Sequence, residues 1–380
     1  MNKSRIQQIV TITVSMVLGG VVGWVGISLA ARVAFISRML DQIAQLPAPL
    51  VLLLLLPTML LVIFVHELGH LAGGLSRGMR FLLLVVGPFQ WTRSTMGVSF
   101  NWNLKPALMG GLAAAIPDRQ RPLRPQLLRL VVGGPLASLL LGAGSITLAG
   151  QPVGLLTPVL LMAGLLSLVI FLATAIPFRA GGMQSDGWQL IELLRGGKSV
   201  IERQLILELV GSSLAGQRPR DWDQETIGQL EQLDSRDPLR RIAASLQVVY
   251  HYWDRGEYER VEPLMDWIDK HLEYYPDGFR QAVHLELALL ALDSNAGSTG
   301  HSRVAAERHM TAAAGGIVDP ARRQLLAAAF ALREGRFDEA QLAIIEARRV
   351  LPRGMDPGIN LFTADQLDRL EGDIERSVKR

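Results

Sequence analysis

Long apolar runs confined to one half of the chain most constrain how it can fold. Four segments reach the roughly 20 apolar residues that a helix needs to cross the hydrocarbon core of a bilayer: residues 9–31, 50–73, 127–148 and 153–177. Most of the charged residues follow the last of these runs. The sequence therefore predicts a mainly α-helical protein, with a polytopic membrane core of about four spans followed by a soluble domain.

Basic residues orient the predicted spans. The connection between the second and third spans contains one acid, Asp118, and the following basic residues: Arg77, Arg80, Arg93, Lys105, Arg119, Arg121 and Arg124. Because cytoplasmic loops are enriched in Lys and Arg, this connection is expected to lie inside. The first run is longer than the apolar region of a signal peptide, so we interpret it as a retained span. A multi-pass integral membrane protein with cytoplasmic N- and C-termini is predicted.

A short β element is predicted between the second and third spans. An apolar run begins at Phe81 and stops at Gly87-Pro88, too short to cross as a helix. Residues 98–104 then alternate apolar and polar, which is typical of a half-buried strand. Residues 81–91 and 96–104 are therefore expected to form a small β-hairpin or re-entrant element at the membrane surface. A cytoplasmic hairpin with one apolar face is the alternative.

The second predicted span ends in a motif that carries metal chemistry. His66 and His70 are four residues apart, which places both imidazoles on one helix face. Two such imidazoles can bind one metal ion, and Glu67 beside the first is suited to act as a general base. Ionisable residues inside a membrane helix are costly, so three of them within five residues indicate a functional site.

A catalytic zinc site typically has three protein ligands, so the histidine pair needs a partner. The chain has no cysteine, and the next histidine is His251, in the soluble half. If Glu67 is the base, the third ligand is an acid of the membrane half. Asp41 is expected on the opposite membrane face and Asp118 lies among basic residues, which favours Asp186, just after the fourth span. The alternative for Asp186 is an N-cap of the helix that follows it.

These motifs together resemble the site-2 protease family of intramembrane zinc metalloproteases. The resemblance covers about residues 50–195 and is carried by His66-Glu67-Leu68-Gly69-His70, by Gly134-Pro135-Leu136-Ala137-Ser138, and by Pro177 followed by Asp186-Gly187. It implies that His66, His70 and Asp186 bind Zn²⁺ and that Glu67 is the catalytic base. It also implies that the short strands receive an extended substrate.

One position departs from the family pattern. The family usually has Asn three residues before the proline of its second motif, and this chain has Thr174. The spacing from Pro177 to Asp186 is also longer than in the commonest members of the family. If the family Asn assists catalysis, Thr174 is a weaker substitute, which leaves metal binding intact.

The rest of the chain is predicted to be soluble and helical. We divide the sequence into a membrane-embedded zinc metalloprotease domain (residues 1–210), a polar linker (211–237) and a helical repeat domain (238–380). Two segments with a Gly turn at Gly256 and at Gly335 resemble tetratricopeptide repeats. Such repeats bind peptides or proteins; the alternative is that they pack on the protease domain or on a second copy. The histidines of this half, His251, His271, His284, His301 and His309, have no compact ligand spacing.

Two functions follow from this reading. The first is an intramembrane zinc endopeptidase that cleaves single-span membrane proteins within or near the lipid bilayer. The alternative is a metal-binding but weakly active membrane scaffold that binds proteins through its helical repeats. The small formal charge of +3 gives no indication of a nucleic-acid partner.

Overall fold

The structure is a computed structural model, and it describes residues 34–378 apart from 95, 104–108, 119, 151–155, 181–182, 233–234, 236, 276, 294–302 and 314–317. The first predicted span, residues 9–31, lies outside the described residues. Two compact units are distinguished by their internal contacts: Met1–Val62 with Leu139–Val169, and Ile63–Ser138 with Ile170–Arg380. They are described separately below.

Long apolar helices occur where the second to fourth spans were predicted. A short helix, α1 (Ala34–Ala44), precedes α2 (Ala48–Leu75), α3 (Leu123–Ala149) and α4 (Leu156–Ala175). In the part of the chain that the structure describes, α2, α3 and α4 are long and apolar enough to cross a membrane. Each contains a continuous run of apolar residues with few charges, and each ends where glycine, proline or charged residues follow.

In the residues that the structure describes, the first unit contains α1 and parts of these three helices. Met39 of α1 is buried with Ala149 of α3 and Leu161 of α4. Several leucines elsewhere in the unit are exposed, with Leu52 and Leu53 of α2 at 70% and 69%. Exposed leucine side chains on a long apolar helix are typical of a surface that faces lipid.

The second unit contains an antiparallel sheet of four strands. The strands are β1 (Arg80–Val86), β2 (Phe89–Ser94), β3 (Gly97–Trp102) and β4 (Leu112–Ile116), in the order β3-β2-β1-β4. The single predicted segment 81–91 is thus two strands, because Gly87, with a φ of 54°, reverses the chain before Pro88. The β4 strand was not predicted, because its Leu-Ala-Ala-Ala-Ile sequence does not alternate.

Two short strands and two helices follow α4. The strands β5 (Arg179–Ala180) and β6 (Met183–Gln184) pair with each other, and α5 (Asp186–Arg195) and α6 (Lys198–Leu214) come next. Leu193 of α5 and Val200 of α6 are buried against Leu127 and Val131 of α3. This contact holds the segment after α4 against the N-terminal part of α3.

The remainder of the second unit is helical and forms what we call the helical layer. It comprises α7 (Gln224–Gln232), α8 (Pro238–Arg255), α9 (Tyr258–His271), α10 (Asp277–Leu292), α11 (Arg303–Ala313), α12 (Pro320–Arg333), α13 (Phe337–Val350) and α14 (Pro357–Val378). The pairs α8–α9, α10–α11 and α12–α13 pack together. Left-handed Gly256 and Gly335 follow α8 and α12, as the repeat hypothesis requires, although the assignment to tetratricopeptide repeats stays a prediction.

Residues 211–237, predicted as a linker, are folded into this helical layer. Trp222, Ile227 and Leu230 of this segment are buried in one apolar core with Leu209 of α6 and Trp253 of α8. The prediction was based on the many polar residues of the segment, but three of its few apolar residues are buried in this core. The core of the helical layer therefore begins before residue 238.

Candidate metal centre

The end of α2 brings two imidazoles together. His66 and His70 lie one helical turn apart, and their Nε2 atoms are separated by 3.2 Å. The side chains are 6% and 12% exposed. Two largely buried imidazoles whose Nε2 atoms point at the same position are placed to share a cation. Without a cation or a shared proton, the lone pairs of the two nitrogens would face each other.

Asp186 completes the group from another element. Its Oδ2 atom lies 3.4 Å from Nε2 of His66 and 3.5 Å from Nε2 of His70. A tetrahedral Zn²⁺ with bonds of about 2.0–2.1 Å places its ligand atoms about 3.3 Å apart. The three measured separations agree with that value, so His66, His70 and Asp186 fit a zinc ion. Within the described residues, this is the one group of three His, Cys, Asp or Glu residues with metal-ligand spacing.

Hydrogen bonds on the far side of each imidazole orient the rings. Nδ1 of His70 donates to the carbonyl oxygen of Leu130 at 2.8 Å, and Nδ1 of His66 lies 2.9 Å from Oγ of Ser138. A carbonyl only accepts, so Nδ1 of His70 carries the proton and its Nε2 presents a lone pair. Partners of this kind fix the tautomer and the ring plane of a metal-binding histidine. The signal for Ser138 in the sequence was its place in the Gly134–Ser138 motif.

The hypothesis that Asp186 is a helix N-cap is wrong. The N-cap of α5 is Ser185, whose side chain accepts from the backbone N–H of Trp188, and Asp186 is the first residue of the helix. Ser185 also donates to the carbonyl of Ile176 at 2.8 Å and accepts from the N–H of Phe178 at 3.0 Å. The serine thus anchors the segment to the end of α4 and leaves the aspartate free to face the imidazoles.

The charge state of Asp186 suits a ligand. When no cation is bound, Nε2 of His66 and of His70 can carry a proton toward Asp186. Burial raises the pKa of the Asp186 carboxyl group, but hydrogen bonds and charge attraction from these two imidazoles together outweigh burial, so the net pKa lies below its usual value. The carboxylate form is therefore favoured even without a cation.

Glu67 lies beside the group but is not part of it. Its carboxylate accepts a hydrogen bond from the backbone N–H of Ala113, at the start of β4. It also lies close to Gly111, where an added Cβ would stand 2.3 Å from Oε1 of Glu67. Glu67 is buried, at 7% exposed. A carboxylate held next to a cation site without occupying it has the position of a general base.

Glycines let the helices around the site approach each other. A Cβ on Gly134 of α3 would overlap the imidazole of His70 at 2.2 Å, and a Cβ on Gly69 of α2 would lie 2.4 Å from the carbonyl oxygen of Gly133. Replacing any of these with a larger residue would move α3 away from α2. The absence of a side chain at Gly134 therefore leaves the space that the imidazole of His70 occupies.

The other candidates from the sequence have different partners. Asp118 pairs with Arg121 at 3.0 Å and accepts from the N–H of Gln120. The hydroxyl of Thr174 lies 3.5 Å from the carbonyl oxygen of Phe171 in its own helix. Neither contact involves the three ligand residues.

Histidines of the helical layer make separate contacts. Nδ1 of His251 donates to the Pro219 carbonyl, and Nδ1 of His271 donates to the Trp267 carbonyl. His284 and His309 lie 3.0 Å apart through their Nδ1 atoms. None of these belongs to a three-ligand group in the described residues, and His301 lies outside them.

Comparisons with known proteins identify no family for this chain. No protein-family model, no curated protein and no solved structure matches the chain.

Proposed function

We propose that the chain is a zinc-dependent intramembrane endopeptidase of the site-2 protease type. The observation that carries the proposal is the spacing of His66, His70 and Asp186, which fits a tetrahedral zinc ion, at the end of an apolar helix long enough to cross a membrane. A membrane helix tolerates buried ionisable groups where they serve a function. Its substrate is proposed to be a single-span membrane protein.

Glu67 is proposed to move the proton. A zinc ion bound at the site supplies Lewis acidity, which activates water and polarises the scissile carbonyl. Glu67 then removes a proton from the attacking water as the oxygen–carbon bond forms. It delivers that proton to the amide nitrogen as the carbon–nitrogen bond breaks, which leaves a carboxylic acid and an amine. Its hydrogen bond to the N–H of Ala113 keeps the carboxylate on the side of β4.

The edge of β4 is proposed to hold the substrate. β4 is an outer strand of the sheet, and Ala113 directs its N–H away from β1 and toward Glu67. A substrate helix has to unwind before its carbonyls can be attacked, and a strand edge offers the backbone partners that an unwound segment loses. The edge expected from the sequence was within residues 81–104, whereas the strand beside Glu67 is β4, at Leu112–Ile116.

An aromatic face of the sheet is proposed to lie against the membrane. The rings of Phe89, Trp91, Phe100 and Trp102 form one cluster, with neighbouring centroids 5.5–6.4 Å apart. Trp91 also lies 6.2 Å from the ring of Phe64 in α2. Trp102 is 65% exposed and Trp91 is half-buried. Tryptophans in a cluster that adjoins an apolar helix are typical of the membrane–water interface.

Replacing Glu67 with Gln tests the proposal without a known substrate. Membranes from cells that express the wild-type protein and from cells that express Glu67→Gln are compared by labelling all protein N-termini. New termini inside predicted spans are expected with the wild type alone, while both proteins contain equal zinc. Identical sets of termini would rule out the protease. Zinc that persists in His66→Ala and Asp186→Ala would rule out the ligand set.

A weakly active metal-binding scaffold is the second candidate, and Thr174 favours it. The hydroxyl of Thr174 lies 3.5 Å from the carbonyl oxygen of Phe171, and a hydroxyl has one hydrogen to donate where an asparagine amide has two. In that case the helical layer binds a protein partner and the metal has a structural role. Thr174→Asn separates the candidates: a rise in intramembrane termini indicates a protease slowed at this position, whereas termini that stay at the low wild-type level favour the scaffold.

A further inference from the structure

The segment that carries Asp186 is attached to the helical layer by two arginines. Arg179 lies in β5, before the aspartate, and Arg240 lies in the first turn of α8. Asp186 reaches the imidazoles only while this segment stays in place, because the residues before it form a hairpin of two-residue strands. Contacts that hold this hairpin in place therefore also hold Asp186, one of the three proposed metal ligands.

Arg179 contacts residues on both sides of Asp186. Its guanidinium lies 4.7 Å from the ring centroid of Trp188, two residues after the aspartate. With the Gln184 amide oriented so that its oxygen faces the guanidinium groups, that oxygen accepts from Arg179 at 2.8 Å, two residues before the aspartate. The same side chain forms an ion pair with Asp237 at 3.2 Å. Arg179 thus joins both flanks of Asp186 to the N-cap of α8.

Arg240 makes a second connection from α8. It forms an ion pair with Glu192 of α5. Its guanidinium also donates to the side-chain oxygen of Gln184, in the hairpin, at 3.0 Å. It also lies 3.9 Å from Glu202 of α6. Glu192 is 14% exposed and is shared with Arg179 at 3.7 Å. Arginine is suited to this arrangement because its planar fork can serve several acceptors at once, which a lysine ammonium does less well.

The burial of Arg240, Glu192 and Glu202 separates them from ordinary surface pairs, whereas Arg179 and Asp237 at the edge of the network are 41% and 23% exposed. Isolated exposed ion pairs contribute little, because water and salt screen them. Here Arg240 and Glu192 are each 14% exposed and Glu202 is 6% exposed, and the charges form a connected network. A network of this kind holds geometry more firmly than a single exposed pair.

We propose that Arg179 and Arg240 are positioning residues, which hold the Asp186 carboxylate in place by fixing its segment to the first helix of the helical layer. The inference rests on the metal-binding part of the proposed function. Under it, the helical layer sets the affinity of the metal centre, and a change at the N-terminal end of α8 reaches the metal through Asp237 and Arg179.

Cobalt binding by the full-length protein in detergent tests the proposal. Co²⁺ is titrated into metal-free wild type, Arg179→Met, Asp237→Asn and Asp186→Ala, and the visible absorption of the ion reports its ligand set. Loss of an outer partner of a ligand typically weakens metal affinity about 10–100-fold. Because Arg179 contacts the residues that flank Asp186 and acts on the carboxylate through them, Arg179→Met is expected to lose affinity at the lower end of that range, about tenfold, and its spectrum is expected to shift toward that of Asp186→Ala.

Asp237→Asn is the milder variant, and the chain offers a matched control. Asp237 caps α8 by accepting from the N–H of Leu239, which an asparagine side chain can still do. Asp319, also followed by proline, caps α12 in the same way. Asp319→Asn is expected to bind Co²⁺ as the wild type does, while Asp237→Asn binds more weakly.

The outcomes separate this inference from the proposed function. Wild-type affinity and spectrum in both Arg179→Met and Asp237→Asn would overturn the positioning role alone. Equal losses in Asp237→Asn and Asp319→Asn would also overturn it, because the effect would then come from helix ends in general. A wild-type protein that gives no cobalt spectrum would overturn the metal centre and the inference with it.

Discussion

Gly134 and the imidazole of His70 are so close that a Cβ on the glycine would stand 2.2 Å from Nε2. That nitrogen is the atom directed at the cation site. Gly134→Ala is therefore expected to rotate or displace His70 and to abolish stoichiometric zinc binding, measured by elemental analysis of the purified protein.

Gly144→Ala in the same helix is the control for this substitution. Nothing lies within 4 Å of a Cβ at that position. Alanine is a better helix former than glycine by about 1 kcal/mol, so the control is expected to keep zinc and to be no less stable. Full zinc content in Gly134→Ala would contradict the prediction.

Ser138→Ala is expected to weaken zinc binding without removing it. Ser138 is fully buried, and its hydroxyl lies 2.9 Å from Nδ1 of His66. Without the hydroxyl, the imidazole loses the partner that fixes its ring, and affinity is expected to fall about 10–100-fold. Competition with a chromophoric chelator measures the change. Thr147→Ala, which removes a hydroxyl bonded within the same helix, is expected to have no effect on affinity.

Gly111→Ala is expected to impair cleavage while zinc is retained. Gly111 has a φ of 106°, which alanine rarely adopts, and its added Cβ would stand 2.3 Å from Oε1 of Glu67. The adjacent Gly110 has nothing within 4 Å and no such φ. Cleavage measured by N-terminal labelling should fall at least about tenfold for Gly111→Ala and stay near wild type for Gly110→Ala, because about 1.4 kcal/mol of barrier is a factor of ten. Similar activity in both variants would argue against the position assigned to Glu67.

Acidification is expected to destabilise the helical layer through His251. Burial lowers the pKa of this imidazole below its usual 6.5; the hydrogen bond to Pro219 opposes the effect and Arg255 adds to it. A depressed pKa means that the stability contribution is present above about pH 6.5 and is lost as the pH falls through the lower, folded value. Urea unfolding followed by tryptophan fluorescence should show a smaller loss between pH 7.5 and pH 5.5 in His251→Asn than in the wild type. Equal losses would contradict the assignment to this residue.

Periodicity along one helix made part of the site predictable. His66, Glu67 and His70 follow from spacing within α2, and Asp186 followed from the absence of other suitable acids in the membrane half. Its approach to the imidazoles is confirmed. Choosing between ligand and N-cap required the structure, because Ser185 and Asp186 are both good capping residues and only the backbone decides which one precedes the helix.

Contacts between distant segments could not be predicted. Arg179 and Asp237 are 58 residues apart, and each taken alone looks like an ordinary charged residue. The β4 strand was missed because alanines carry no alternating pattern, and the segment 211–237 looked like a linker because most of its residues are polar. Pairing partners of this kind depend on tertiary packing, for which one sequence carries no local signal.

The contact between α2 and α3 also limits how anything can reach the metal centre. The backbones touch at two levels, since a Cβ on Gly69 would lie 2.4 Å from the carbonyl oxygen of Gly133 and one on Gly73 would lie 2.0 Å from that of Arg129. A polypeptide cannot thread through such a seam, because the gap does not admit even one methyl group. Under the proposed function, a substrate has to approach His66 and His70 from outside this seam, and mutations at the flank where Glu67 meets Ala113 of β4 are expected to affect turnover more than changes along the seam.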